Sequence, residues 1–500
     1  MKKFLMTALC LMMTLWQASA QEVKGRATYQ INQTRALWYN TTNAAGLARE
    51  DMLQWRDIAL GYNLQSGSFK DSWDASSISG FKTGGDMLMD IAGFKVAASL
   101  QMERNNLNKC MYNASLYEVS WDMPFFVAMN STETFDWKQT GTALSVSAAT
   151  PLLLDDKLSA GLALKAQNHL ATKTYDPHCG YTSFDVELAP SATFAINSEN
   201  VVGLTLRYRL TPATSRLESV SGSPVGVVFL QGLGAFSPRV VGGKQEFGPI
   251  KYGASRYGGN VQYFHLGGSS QWLVEFSFDK GTTTVGDSER TMGSVDKFVT
   301  GLDIQGLFGA THSRKLNLSV NYNLNYWDDY LISGNALTTS QGNIIDVKMD
   351  YSIFTDTDRA AGFNFELGAG VDYTHLSLER NSPVGYLKKN SIIPYVFLGK
   401  NTRIGKEGEL LARVDIGYKF AAGKPYYFEG KSDSDIVMNM FDDEDDYLSC
   451  CYFKAAANVA YTFRINNMLA TYAKVNAGHL KPMGITGSRV IAGFSLGVLF

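Results

Sequence analysis

The sequence predicts an all-β fold, a transmembrane antiparallel β-barrel of about 18 strands, with roughly 14 to 20 compatible with the turn spacing. Three observations predict it: long segments that alternate apolar and polar residues, connections that alternate short and long, and export-type signals at both ends of the chain. Residues 1–20 read as a leader, 21–53 as an N-terminal periplasmic segment or plug, and 54–500 as the barrel.

The alternation is clearest from Lys315 to Tyr326. Leu316, Leu318, Val320, Tyr322, Leu324 and Tyr326 are separated by Asn317, Ser319, Asn321, Asn323 and Asn325. Neighbouring side chains on a strand point to opposite faces, so one face is apolar and the other polar. A helix would mix the two sets and would be poorly served by so many asparagines. The same period runs through Val202–Leu210, Ile345–Ile353, Phe363–Tyr373 and Leu410–Phe420. Such runs match a tilted membrane-spanning strand of about 9–11 residues, longer than the strands of soluble sandwiches. Tyr326 with Trp327, and Tyr418 with Phe420, read as an interfacial aromatic girdle.

Connections supply an independent argument. Ser198–Asn200, Gly268–Ser270, Thr311–Arg314, Thr355–Arg359 and Arg464–Asn467 are short. Residues 211–257, 280–297, 328–342, 379–390 and 421–451 read as long loops. Barrels of the outer membrane have short periplasmic turns and long external loops. Within 211–257, Val225–Phe236 reads as a further strand or a loop folded into the pore.

The two ends carry export signals. Lys2 and Lys3 precede an apolar run from Phe4 to Trp16, and Ala18-Ser19-Ala20 places a cleavage site before Gln21. At the other end Val490, Ala492, Phe494, Leu496, Val498 and Phe500 share one phase. Phe494 and Phe500 thus resemble the C-terminal signal that outer-membrane barrels present to the barrel-assembly machinery. The cell outer membrane of a Gram-negative bacterium is the expected location, with its lipid and lipopolysaccharide as surroundings.

Composition excludes several classes. The net charge of -2, which becomes -4 on loss of Lys2 and Lys3, gives no basis for nucleic-acid binding. Cys110, Cys179, Cys450 and Cys451 lie beyond the leader in a chain expected to meet an oxidising compartment, and their pairing is open among three connectivities. His169, His178, His265, His312 and His479 show no metal-ligand spacing, so no metal or other cofactor is expected.

Asn43-Ala44-Ala45-Gly46 resembles the Asn-Pro-Ala-Gly motif near the N-terminus of the long-chain fatty-acid outer-membrane transporter family, with Ala44 in place of proline. That resemblance implies a hatch that plugs the barrel, with Asn43 and Gly46 as its motif residues. The chain as a whole resembles uncharacterised outer-membrane barrel families.

The inward, polar phase places Lys95, Lys165, Asp185, Glu187, Arg207, Arg209, Asp346, Lys348, Asp350, Glu366, Asp372, Arg413 and Asp415 along a pore. Both signs are represented, so neither an anion-selective nor a cation-selective pore follows. Asp442 to Asp446 form an acidic run that reads as a solvated external loop, since it lacks the spacing of an EF-hand. His375-Leu376-Ser377 resembles the His-x-Ser of outer-membrane phospholipase, although Leu378 stands where that family has asparagine.

The expected function is passive or gated transport of a small, unidentified solute, hydrophobic ones included. The alternative is a structural or surface-interaction barrel that binds a partner through its external loops. A lipid hydrolase is a minor alternative, and no enzyme is expected.

Overall fold

The computed structural model describes residues 23–115, 124–173, 175–233, 235–242, 249–287, 290–309, 311–330, 338–355, 362–429 and 436–500. The leader lies outside them. In chain order the strands are β1 (Trp55–Gly67), β2 (Ser77–Ile91), β3 (Phe94–Cys110), β4 (Phe125–Met129), β5 (Phe135–Ala149), β6 (Leu158–Lys173) and β7 (His178–Ala195). They continue with β8 (Asn200–Glu218), β9 (Val225–Gln231), β10 (Phe236–Val241), β11 (Ile250–Leu266), β12 (Ser270–Gly286), β13 (Thr291–Phe308) and β14 (Arg314–Asp329). The last are β15 (Thr338–Thr355), β16 (Phe365–Asn381), β17 (Val384–Ile404), β18 (Gly408–Phe428), β19 (Tyr452–Asn466), β20 (Leu469–Pro482) and β21 (Arg489–Leu499).

Eighteen of these form one sheet, in which each strand pairs antiparallel with the next. It closes where β1 meets β21, from Asp57 opposite Leu499 to Gly67 opposite Arg489. Closure leaves no unpaired edge, which is what allows strands to cross lipid. The apolar phase faces out: Ile58, Leu60, Tyr62 and Leu64 on β1, and Leu204, Leu206, Tyr208 and Leu210 on β8, are exposed. In water so continuous an apolar surface would aggregate. In lipid it is the favourable face, and the barrel is a transmembrane one of the outer-membrane type.

Three details differ from expectation. Trp327 does not join the girdle with Tyr326. It lies one residue on, hence on the opposite face, and is buried inside the barrel. The connections between β12 and β13 and between β16 and β17 are short, because those strands run on past the predicted loop boundaries. Val225–Phe236 is not a wall strand but is folded into the pore, and it is strand rather than loop. β9 and β10 join β4 in a separate three-stranded sheet of order β10-β9-β4.

Candidate functional site

Two bodies pack inside the barrel, one toward each end. The first is the N-terminal segment. Helix α1 (Arg26–Arg35) turns Ala27 and Ile31, four residues apart, onto Phe354 and Phe363. Two short 3-10 segments follow, Trp38–Asn40 and Ala44–Arg49. Other small apolar clusters join this plug to the wall, Leu37 and Trp38 with Val201, Leu273 and Leu307 among them, and polar contacts are added to these. The Ala27 N–H donates to Glu409 at 2.8 Å, and Arg26 pairs with Asp57 at 3.4 Å. The Arg49 guanidinium donates to the Asp156 and Lys157 carbonyls at the rim, at 2.7 and 2.6 Å.

Asn43 is the hub. Its side chain caps the turn by accepting from Gly46 N, and its amide donates to Gln262 Oε1 at 3.0 Å and to the Ala192 carbonyl at 3.2 Å. Gly46 has no room for a side chain, since a Cβ would meet the Trp38 ring at 2.5 Å. Two wall glycines admit the motif. A Cβ on Gly161 would strike Ala45 N at 2.2 Å, and one on Gly203 would strike the Asn43 amide at 2.7 Å.

Glu50 ends the plug. Its carboxylate accepts from Trp38 N at 2.6 Å, and Lys95 donates to its carbonyl. Burial pushes the carboxyl up to about 7, against the opposing pull of the Trp38 N–H and Lys95. A raised acid binds its proton more tightly in the docked plug than in a released one. Docking is therefore fullest below the ordinary value of 4.5 and weakens as pH rises through about 7. Limited proteolysis of the plug across that range is expected to show faster cleavage on the alkaline side. Glu50→Gln should flatten the dependence, and equal pH profiles for parent and variant would remove Glu50 from the account.

The second body fills the outer mouth and is apolar. All five residues of β4 are buried, as are Val227, Val228, Phe229 and Leu230 of β9. They pack on inward-facing residues at the outer ends of many wall strands, among them Trp137, Tyr181, Leu217, Val295, Trp327 and Leu387. Polar contacts pin this cap as well, Lys389 with Asp445 at 2.6 Å and a cluster around Arg380 among them. Arg380 on β16 donates to the Gln231 carbonyl at 2.9 Å and pairs with Asp329 on β14 at 3.2 Å, while the Gln231 amide donates to Asp329 at 2.8 Å.

Helix α2 (Ile436–Ser449) completes the cap and corrects the reading of the acidic run. Val437, Met440, Phe441 and Glu444 fall on one helical face and are buried, which leaves Asp443 and Asp446 outside. Glu444 accepts from both Ser72 N at 3.1 Å and Ser72 Oγ at 3.2 Å. Burial and the neighbouring Glu444 carboxyl push Asp71 up to about 10. Among the described residues no group of three metal-ligating side chains is found.

Between plug and wall lies a cavity of about 610 Å³, lined by Arg26, Tyr39, Trp55, Asp57, Glu366 and Arg413 among others. The predicted inward residues are placed as follows. Lys165 pairs with Glu187 at 3.1 Å, Arg209 donates to Asp185 at 2.8 Å, and Arg207 pairs with Asp279 at 2.7 Å. Arg413 joins Glu366 and Asp415, each at 2.9 Å. Asp350 accepts from Asn317 at 2.9 Å, and Asp346 from Thr374 at 2.8 Å. Lys348 stands opposite Asp372 in register, and Lys95 serves the plug. Arg26, Asp57, Asp86, Lys474, Asp329 and Arg380 were missed. Asp57, Asp86 and Lys474 do lie on the inward phase of their strands, which is the signal that marks them.

Phe494 is exposed on the lipid face, and Phe500 pairs through its backbone with Arg56 at the seam. His375 is tied to Asn390 at 2.7 Å, and no hydrogen bond joins it to Ser377 among the described residues. Cys110, Cys179, Cys450 and Cys451 are free thiols.

A closed apolar-walled barrel with a charged lumen defines a membrane protein of the outer-membrane β-barrel class. The chain belongs to the family of unknown function DUF6850, whose model matches residues 44–500. A comparison with curated proteins finds no match. Solved structures similar in fold include the outer membrane transporter YddB from Escherichia coli, at 9% identity and TM-score 0.43, with 90% of this chain and 81% of that one covered. Another is BauA, the ferric preacinetobactin receptor of Acinetobacter baumannii, at 9% identity and TM-score 0.37, covering 90% and 80%. A Pseudomonas aeruginosa FadL homologue is similar at 11% identity and TM-score 0.32, covering 96% and 99%. At these scores the likeness carries no argument about cargo.

Proposed function

We propose that the protein is a gated outer-membrane transporter for a small solute. The observation that carries this reading is an N-terminal segment lodged in the lumen beside a charged cavity. Its hydrogen bonds and ion pairs to the wall are contacts that water can replace, and its apolar contacts are divided among small clusters. A barrel with a purely structural role has no need of a separable stopper or of a charged cavity beside it. The charged lining favours a polar solute over a hydrophobic one. Lipid at the apolar band and the assembly machinery at β21 are the partners this reading carries, with no enzymatic step.

Conductance in a planar bilayer tests it. The parent is expected to be silent, as two closures act in series. Arg380→Met, which loosens the cap, and Gly161→Val, which evicts the plug, should each give brief openings. The double variant should give a steady conductance. Silence of the double variant would move the assignment to a surface-interaction barrel.

A further inference from the structure

The seam of the barrel holds a second lobe of the lumen, of about 330 Å³, which shares Arg26, Asp57, Asp86 and Lys474 with the larger cavity. Two of its lysines stand without a close carboxylate. Arg26 is already paired with Asp57, and its guanidinium lies over the Tyr472 ring at 4.1 Å. The Tyr472 hydroxyl donates to the same Asp57 at 2.7 Å. Lys82 and Lys474, by contrast, make no ion pair or hydrogen bond among the described residues, and neither does Asp86. Elsewhere in the lumen the lysines and arginines of β6 to β8 and the arginine of β18 have carboxylates at hand.

Register explains why these lysines have room between them. Lys474 on β20 stands opposite Ser495 on β21, Ser495 opposite Gly61 on β1, and Gly61 opposite Lys82 on β2. All four lie on one row and one face. The two ammonium groups thus flank a floor made of a serine and a glycine. Three strand spacings separate their Cα atoms, about 14 Å along the sheet. Two extended lysine side chains reaching inward shorten that to the length of a small solute.

We infer that this seam niche binds a small dicarboxylate, one carboxylate at Lys474 and the other at Lys82. Asp86 also lines the niche, within electrostatic reach of Lys82 and Arg26, and suits an amino group on the same solute. An anion at Lys474 also comes within reach of Arg26, whose pairing with Asp57 fastens α1 to the wall. Occupancy therefore competes with a plug contact. The assignment rests on the transport reading for its purpose, though not for its chemistry.

Calorimetric titration of the full-length mature protein in detergent tests it, with succinate, γ-aminobutyrate, putrescine and erythritol as probes. Saturable succinate binding is expected, with putrescine and erythritol silent. Lys82→Gln and Lys474→Gln should each weaken succinate at least tenfold, and the arginine variants should retain it. Heat-modifiable gel mobility confirms that each variant barrel is folded. No succinate binding, equal binding of putrescine, or indifference to both glutamine variants overturns the site. Binding needs no transport, so succinate binding with a silent double-gate variant sinks the transport reading alone. Conductance without charge preference or succinate binding sinks the niche alone.

Discussion

Arg380→Met is expected to unseat the outer cap. Arg380 and Asp329 are both almost wholly buried, and Gln231 bonds to each of them. Removing the guanidinium leaves the Asp329 carboxylate without its cation in a site that excludes water. The loss of one partner from a buried pair costs about 3–5 kcal/mol. The apolar contacts of β4 and β9 survive, so the barrel should stay folded while the cap loosens. The measurement is cleavage of residues 219–249 by protease added outside intact cells. The variant should be cut and the parent spared, with Arg380→Lys intermediate. Equal protection of Arg380→Met and parent would show that the cap is held without the Arg380 cluster.

Gly161→Val should have the second large effect, at the opposite closure. The new Cβ falls on backbone atoms of Ala44 and Ala45, at 2.2 Å from the nearest. Ordinary overpacking costs about 1–3 kcal/mol, when side chains can move aside. Here the obstacle is the plug backbone, which must leave the wall as a unit. Asn43 then loses Gln262 and the Ala192 carbonyl together. The expected result is protease cleavage within residues 23–54 from the periplasmic side, with an unchanged melting point of the barrel. Asn43→Ala should act the same way more weakly, because it removes bonds without adding a clash. A plug in Gly161→Val as resistant as in the parent would contradict the docking geometry.

Much of the wall was legible because long stretches of its strands, such as Leu316–Tyr326, keep a period of two. Lys165, Glu187, Arg207 and Arg209 followed from phase alone. The cap was not legible by the same rule. Phe125-Phe126-Val127-Ala128-Met129 and Val227-Val228-Phe229-Leu230 are unbroken apolar runs, with no alternation to read. Such runs mark strands buried on both faces, and that is where β4 and β9 sit. Helix α2 was obscured because its acids outnumber the few apolar residues that define its buried face.

By itself, the sequence determined the barrel, the phase of its lining and the presence of a distinct N-terminal segment. These depend on contacts between neighbours along a strand, and the period records them. Only the tertiary structure decided which charges meet. Arg380 finds Asp329 and Gln231, Arg26 finds Asp57, and Lys82 and Lys474 find each other across Gly61 and Ser495. Those pairings depend on closure, because bending the sheet into a ring brings β1 against β21 and folds both closures into one lumen. No local pattern encodes the distance between residues that only a closed ring makes neighbours.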